Sequence, residues 1–84
     1  MVWIKKAEYI EKYKIHVTFN SDESGIIDLK EVILSDKRQI FRELVEINKF
    51  RQFNIDFDTI VWENGLDLAP EFLYNFLKES QHAV

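Results

Sequence analysis

Four apolar residues, Tyr13, Ile15, Val17 and Phe19, alternate with Lys14, His16 and Thr18, the period-two pattern of a strand with one face buried. Ahead of them, Trp3 to Tyr9 reads as a partner strand, with Ile10-Glu11-Lys12 as the connection. Behind them, Asn20-Ser21-Asp22-Glu23 is a polar turn, because short polar side chains satisfy nearby backbone and tolerate left-handed conformations. Gly25 to Leu29 returns as a third strand, so the first half predicts an antiparallel meander. Lys30 to Leu34 can make one helical turn, and Ser35-Asp36-Lys37-Arg38 reads as surface loop.

Beyond that loop the period changes. Ile40, Leu44 and Ile47 recur at helical spacing with Phe41 beside them, which predicts a helix from Gln39 to Phe50 with a break near Val45. Asn54 to Phe57 and Thr59 to Trp62 are strand-like around a tight turn at Asp58. Asn64-Gly65 predicts a type I′ turn, with positive φ at both residues, that folds Leu66-Asp67-Leu68 back beside Ile60-Val61-Trp62. Pro70 suits a first helical position, where its missing donor costs nothing, and Glu71 complements the positive helix end. Phe72, Leu73, Phe76 and Leu77 make one apolar stripe, with Asn75, Lys78 and Glu79 facing out, so the last helix covers a sheet face. Ser80 to Val84 is expected to fray. The expectation is an α+β fold with antiparallel sheet, in the order β-β-β-α-β-β-α, as one small domain over residues 1–84.

Composition agrees with a packed core. A chain of 84 residues buries only roughly 60–65% of its unfolded surface, and this one is 46% hydrophobic, with seven Phe, two Trp and three Tyr. Large aromatics bury much area for each residue ordered. With no cysteine, the chain has no disulfide, thiolate metal site or cysteine nucleophile. Charges at Lys5 and Lys6 come too early for a signal peptide, and no run reaches the roughly 18–20 apolar residues of a membrane span. A cytoplasmic location is expected. Eleven basic against fifteen acidic residues give a net charge of −4, which argues against general nucleic-acid binding. The densest basic group, Lys37-Arg38 with Arg42, is flanked by Asp36 and Glu43.

The run Trp62-Glu63-Asn64-Gly65-Leu66-Asp67-Leu68-Ala69-Pro70-Glu71-Phe72-Leu73-Tyr74 resembles the signature of a bacterial family called domain of unknown function 2442. Ala7-Glu8-Tyr9, Phe19 and Gly25-Ile26-Ile27-Asp28-Leu29 agree as well, so the likeness covers Trp3 to Leu77. Its motif positions here are Trp62, Asn64, Gly65, Asp67, Leu68, Pro70 and Glu71. The chain departs from the family pattern in two places. Ser21-Asp22 stands where aspartate-glycine is common, and Ser35 to Gln39 where a glycine-proline pair is common. The resemblance implies a three-stranded meander, a helix, further strands and a final helix. It also implies that some members continue into a helix-turn-helix domain, which is not expected in a chain that stops at Val84. Others are encoded beside a second small protein in a toxin–antitoxin-like arrangement. It supplies no catalytic residues.

Candidate chemistry is sparse. His16 lies on the polar face of the second strand and His82 in the tail, and neither has ligand-spaced partners. Asp56 and Asp58 lack the converging oxygens a calcium or magnesium site needs. Asp28 and Asp67 sit between apolar neighbours. Each can simply face outward, and Asp67 is read as a cap for the last helix. Trp62 reads as core, and Trp3 equally as core or contact surface. Ser21, Ser24, Ser35 and Ser80 have no paired base. The leading expectation is a non-enzymatic interaction or regulatory module, antitoxin-like towards another small protein or pairing with itself, with no cofactor or metal. Its contact surface is the exposed sheet face or an unpaired edge strand, with Trp3, His16 and Asp28 as candidate contacts. The alternative is a small-molecule-binding or enzymatic site with those three residues near a pocket of several hundred Å³.

Overall fold

The computed structural model describes residues 1–82, with side chains as far as Glu79. Its first sheet joins β1 (Ile4–Glu11), β2 (Lys14–Phe19) and β3 (Ser24–Asp28) in that order, all antiparallel. The alternation along β2 works as read: Ile15, Val17 and Phe19 are fully buried, as is Ile27 on β3. Burying a side chain of this size stabilises by about 1.5–3 kcal/mol. β1 runs further than its sequence suggests. The register slips between Ile4 and Lys6 and again between Tyr9 and Glu11, each slip adding one unpaired residue. Ile10 therefore lies in a bulge rather than in the connection, and the turn itself is Lys12-Tyr13.

Helical structure follows β3 in pieces. These are α1 (Lys30–Ser35), α2 (Gln39–Arg42), a 3-10 turn at Glu43–Val45 and α3 (Ile47–Phe50). The break predicted near Val45 falls at Glu46, whose φ of −73° and ψ of 118° are extended. The Tyr13 hydroxyl donates to the Val45 carbonyl and so satisfies an acceptor the break leaves free. Short pieces let Ile33, Phe41, Leu44 and Phe50 all reach one core, which a single straight helix could not do.

The second sheet joins β4 (Phe53–Asp56), β5 (Thr59–Trp62) and β6 (Asp67–Leu68), again antiparallel. Leu68 pairs with Ile60 and Asp67 with Val61, the return predicted from Asn64-Gly65. The turn type differs from expectation. Only Gly65 has positive φ, at +93°, while Gly65 N–H donates to Trp62 O and Trp62 N–H to Leu66 O. This is a three-residue loop ending in a left-handed residue, a type I turn with a bulge. The turn with two positive φ values is instead Phe57-Asp58, at 51° and 65°. The first sheet repeats the three-residue loop: Asp22 N–H donates to Phe19 O, Phe19 N–H to Glu23 O, and Asp22 takes φ +71° in the glycine seat.

Helix α4 (Pro70–His82) closes the fold with Leu73 and Leu77 in the core. The expected four-residue stripe is narrower than read. Phe72 is 42% exposed, and Tyr74 takes the inner place, edge-on to Phe19 at 5.2 Å. The helical backbone continues through Ser80 to His82, and Ala83 and Val84 lie outside the described residues. Ile4 N–H donates to Asp58 O, which ties the two sheets, and both face one hydrophobic cluster.

The paired loops make a test. A Cβ at residue 65 would meet nothing within 4 Å, so any cost of Gly65→Ala is backbone strain alone. Urea unfolding should show Gly65→Ala less stable by about 1 kcal/mol and Asp22→Gly more stable by a few tenths. Equal stability of all three proteins would contradict the shared loop geometry.

Candidate functional site

Polar faces and edges remain once the core is assigned. The outer face of the first sheet carries three rows of paired residues. One is Glu8, His16 and Ile26; another is Glu11, Lys14 and Asp28. Lys6, Thr18 and Ser24 complete a third. Ile26 is the anomaly, because it is apolar, 50% exposed and central in β3.

The edge of β3 follows from hydrogen-bond alternation. Phe19 N–H donates to Glu23 O at one end of the β2–β3 ladder, and Leu29 N–H to Tyr13 O at the other. In an antiparallel pair every second residue is bonded across, so Gly25 and Ile27 bond to β2. The N–H and C=O groups of Ser24, Ile26 and Asp28 then point away from β2, and among the described residues they have no hydrogen-bond partner. The other outer strand of this sheet is blunted. β1 has two bulges and Lys5 and Lys6 in its first half, and it runs beside β4. β3 has an unbroken five-residue register and no lysine.

The structure separates the three candidate contacts. His16 and Asp28 share the outer face as diagonal neighbours, a spacing of roughly 7–8 Å. Trp3 stands at the far end, where its N–H donates to Asn20 Oδ1 and its C=O accepts from Asn20 N–H. That is roughly 13 Å along the strand from His16. Trp3 is 39% exposed, between its two expected environments. Asp28 Oδ1 accepts from Lys30 N–H, so one of its oxygens serves the start of α1. The side chain of His82 lies outside the described residues.

The signature residues hold the fold. Trp62 is core, as read, and its Nε1–H donates to Phe50 O at 2.7 Å. Asn64 does more than turn the chain. Its Oδ1 accepts from Leu66 N–H, and its amide donates to Ile40 O and Glu43 Oε1 across 24 and 21 residues. Leu68 is buried, and Pro70 opens α4 with Glu71 in its first turn. Asp67 is exposed on β6 and makes no side-chain hydrogen bond among the described residues, so it does not cap α4. Ala69 stands in that place, its C=O accepting from Leu73 N–H.

Two neighbouring clefts, of about 480 and 450 Å³, share Gln52 and Glu63. Glu43, Glu46, Asn48 and Lys49 line the first and Phe53, Asn54 and Asp56 the second. Neither contains Trp3, His16 or Asp28. Asp56 ends β4, and Asp58 sits in its turn. Among the described residues no three His, Cys, Asp or Glu side chains gather to hold a metal ion.

One polar cluster fixes the start of β3. The Glu23 carboxylate accepts from the Tyr74 hydroxyl at 2.8 Å and the Ser21 hydroxyl at 3.1 Å, and it pairs with Lys78. Lys78, and then Tyr74, hold the Glu23 carboxyl below its ordinary pKa, while Glu23 raises Lys78 and Tyr74. Ile26 itself was missed in reading the sequence, although the doublet Ile26-Ile27 signals that one of the two must face outward.

The fold and site define a class: a small α+β protein of two antiparallel sheets, closed on one face by helices, with one edge of β3 unpaired among the described residues. The chain belongs to the family described as Protein of unknown function (DUF2442), whose family model matches residues 4–79. No curated protein and no solved structure matches it.

A lowered Glu23 pKa stabilises the fold above its ordinary value of 4.5, and that contribution is lost as pH falls through the lowered value. Raised Lys78 and Tyr74 values contribute below their ordinary 10.5 and 10.0 and fade as pH rises beyond them. Urea midpoints measured from pH 7 to pH 3 should therefore fall less for Glu23→Gln than for the unaltered chain. Parallel acid limbs would show that the cluster does not link the strand to α4.

Proposed function

We propose that this chain is a non-enzymatic protein-interaction module that takes a partner strand along the edge of β3. The observation that carries the reading is the row of unpaired backbone groups at Ser24, Ile26 and Asp28, with a half-exposed isoleucine at its centre. An added strand gains main-chain hydrogen bonds, each worth about 0.5–1.5 kcal/mol net, and covers Ile26. The partner is another small protein, for which this chain acts as an antitoxin-like regulator in the cytoplasm. A net charge of −4 favours a basic partner and disfavours direct nucleic-acid contact.

A second reading, small-molecule binding, is favoured by the paired clefts around Gln52 and Glu63 rather than by Trp3, His16 and Asp28. It places amides and carboxylates around one lysine, a lining suited to a polar ligand.

Co-expression with the product of the neighbouring gene tests the first reading. The unaltered chain should retain that partner through purification. Ile26→Pro should lose it, because proline removes an outward N–H without touching the ladder to β2. Retention by a folded Ile26→Pro protein, or no retention by the unaltered chain, would overturn the proposal.

A further inference from the structure

We infer that β3 pairs with β3 of a second copy of this chain, antiparallel about a two-fold axis at Ile26, to give one six-stranded sheet. The inference rests on the reading of β3 as a contact edge and names one occupant for it. Only one register satisfies the groups present. With Ile26 opposite its own copy, Ser24 falls opposite Asp28 on the other strand, and all three residues present their free N–H and C=O groups to the partner. The two half-exposed isoleucines then cover each other at the axis.

Side chains on the outer face agree with this register. The central row across the joined sheets would read Glu8, His16, Ile26, then Ile26, His16, Glu8. The flanking row would read Lys6, Thr18, Ser24, then Asp28, Lys14, Glu11. No two like charges are neighbours in either row. The free carboxylate oxygen of Asp28 meets the Ser24 hydroxyl, while the other keeps its bond from Lys30 N–H. A register displaced by two residues sets Ile26 against Ser24 or Asp28 instead. A displacement by one turns the outward side chains to the wrong face. β1 cannot take the same role, because its bulges break the straight run of groups that a partner needs.

A five-residue strand covers less than the roughly 800 Å² per partner of a standard stable interface. The dimer is therefore dissociable. It also occupies the edge a different partner would use, so the two associations compete.

Sedimentation equilibrium on the full chain should show the mass rising from 10.1 kDa towards twice that value, over concentrations from about 10 µM to 1 mM. Ile26→Lys, which sets two ammonium groups together at the axis, should keep the far-UV spectrum and stay monomeric throughout. Because the chain has no cysteine, the register can be read by a short thiol-to-thiol cross-linker. Ile26→Cys should cross-link to itself, with Cα atoms about 5.5 Å apart. Ser24→Cys alone should not, and the Ser24→Cys, Asp28→Cys double variant should. A monomer up to 1 mM, or cross-linking without that pattern, overturns the inference. A monomeric chain whose capture of the neighbouring protein is still lost in Ile26→Pro would defeat self-pairing while leaving the interaction module intact.

Discussion

Burial of one face of β2 is the constraint from which the rest of the architecture follows. Ile15, Val17 and Phe19 must all leave water together, and the pleat then sends Lys14, His16 and Thr18 to the other side. Helical pieces and α4 supply the cover for the inner face. Among the described residues no element lies over the outer one. β3 pairs with β2 on one side only, so among the described residues its far edge has no strand beside it, while α4 packs against the strand through Tyr74 and Lys78 at Glu23. The unpaired edge is thus a consequence of how the core is built, and Ile26 stands half-exposed at its centre.

Holding the fold and making contacts are different jobs, and the signature run serves the first. Trp62 fills the core and hands its indole proton to the Phe50 carbonyl at the end of the broken helix. Asn64 reaches back to Ile40 and Glu43, so the tightest loop of the second sheet also clamps the start of the helical segment. Gly65 supplies the left-handed residue that the loop demands. Trp62 and Asn64 both have structural partners, which is why a run so recognisable says little about a ligand. The proposed contact edge lies elsewhere, at Ser24, Ile26 and Asp28, of which the resemblance touches the last two.

Local signals were legible and long-range ones were not. The period of β2, the proline that opens α4 and the return of Leu66 to Leu68 depend on neighbours within a few residues, and all three are read correctly from the chain. The bulges of β1 depend on its register with β2, so local sequence assigns Ile10 to the connection, where it does not lie. The Asn64-Gly65 pair fits two loop types, and tertiary hydrogen bonds to Ile40 and Glu43 select the one with a single positive φ. Helical spacing puts Phe72 on the apolar stripe but cannot say whether Phe or Tyr takes the seat beside Phe19, and Tyr74 takes it. Asp67 reads as a cap from its place just ahead of the last helix, which its outward position on β6 denies. Of the candidate contacts, His16 and Asp28 were placed on the right face, whereas their distance from Trp3 required the paired strands.

Residue-resolved amide hydrogen exchange on dilute protein reaches the heart of this account. If only alternate groups of β3 are bonded, Gly25 and Ile27 should exchange slowly while Ser24, Ile26 and Asp28 exchange at least about tenfold faster. Equal protection of Ile26 and Ile27 in the monomer would mean that the edge is already closed, and the case for a waiting partner would fall with it.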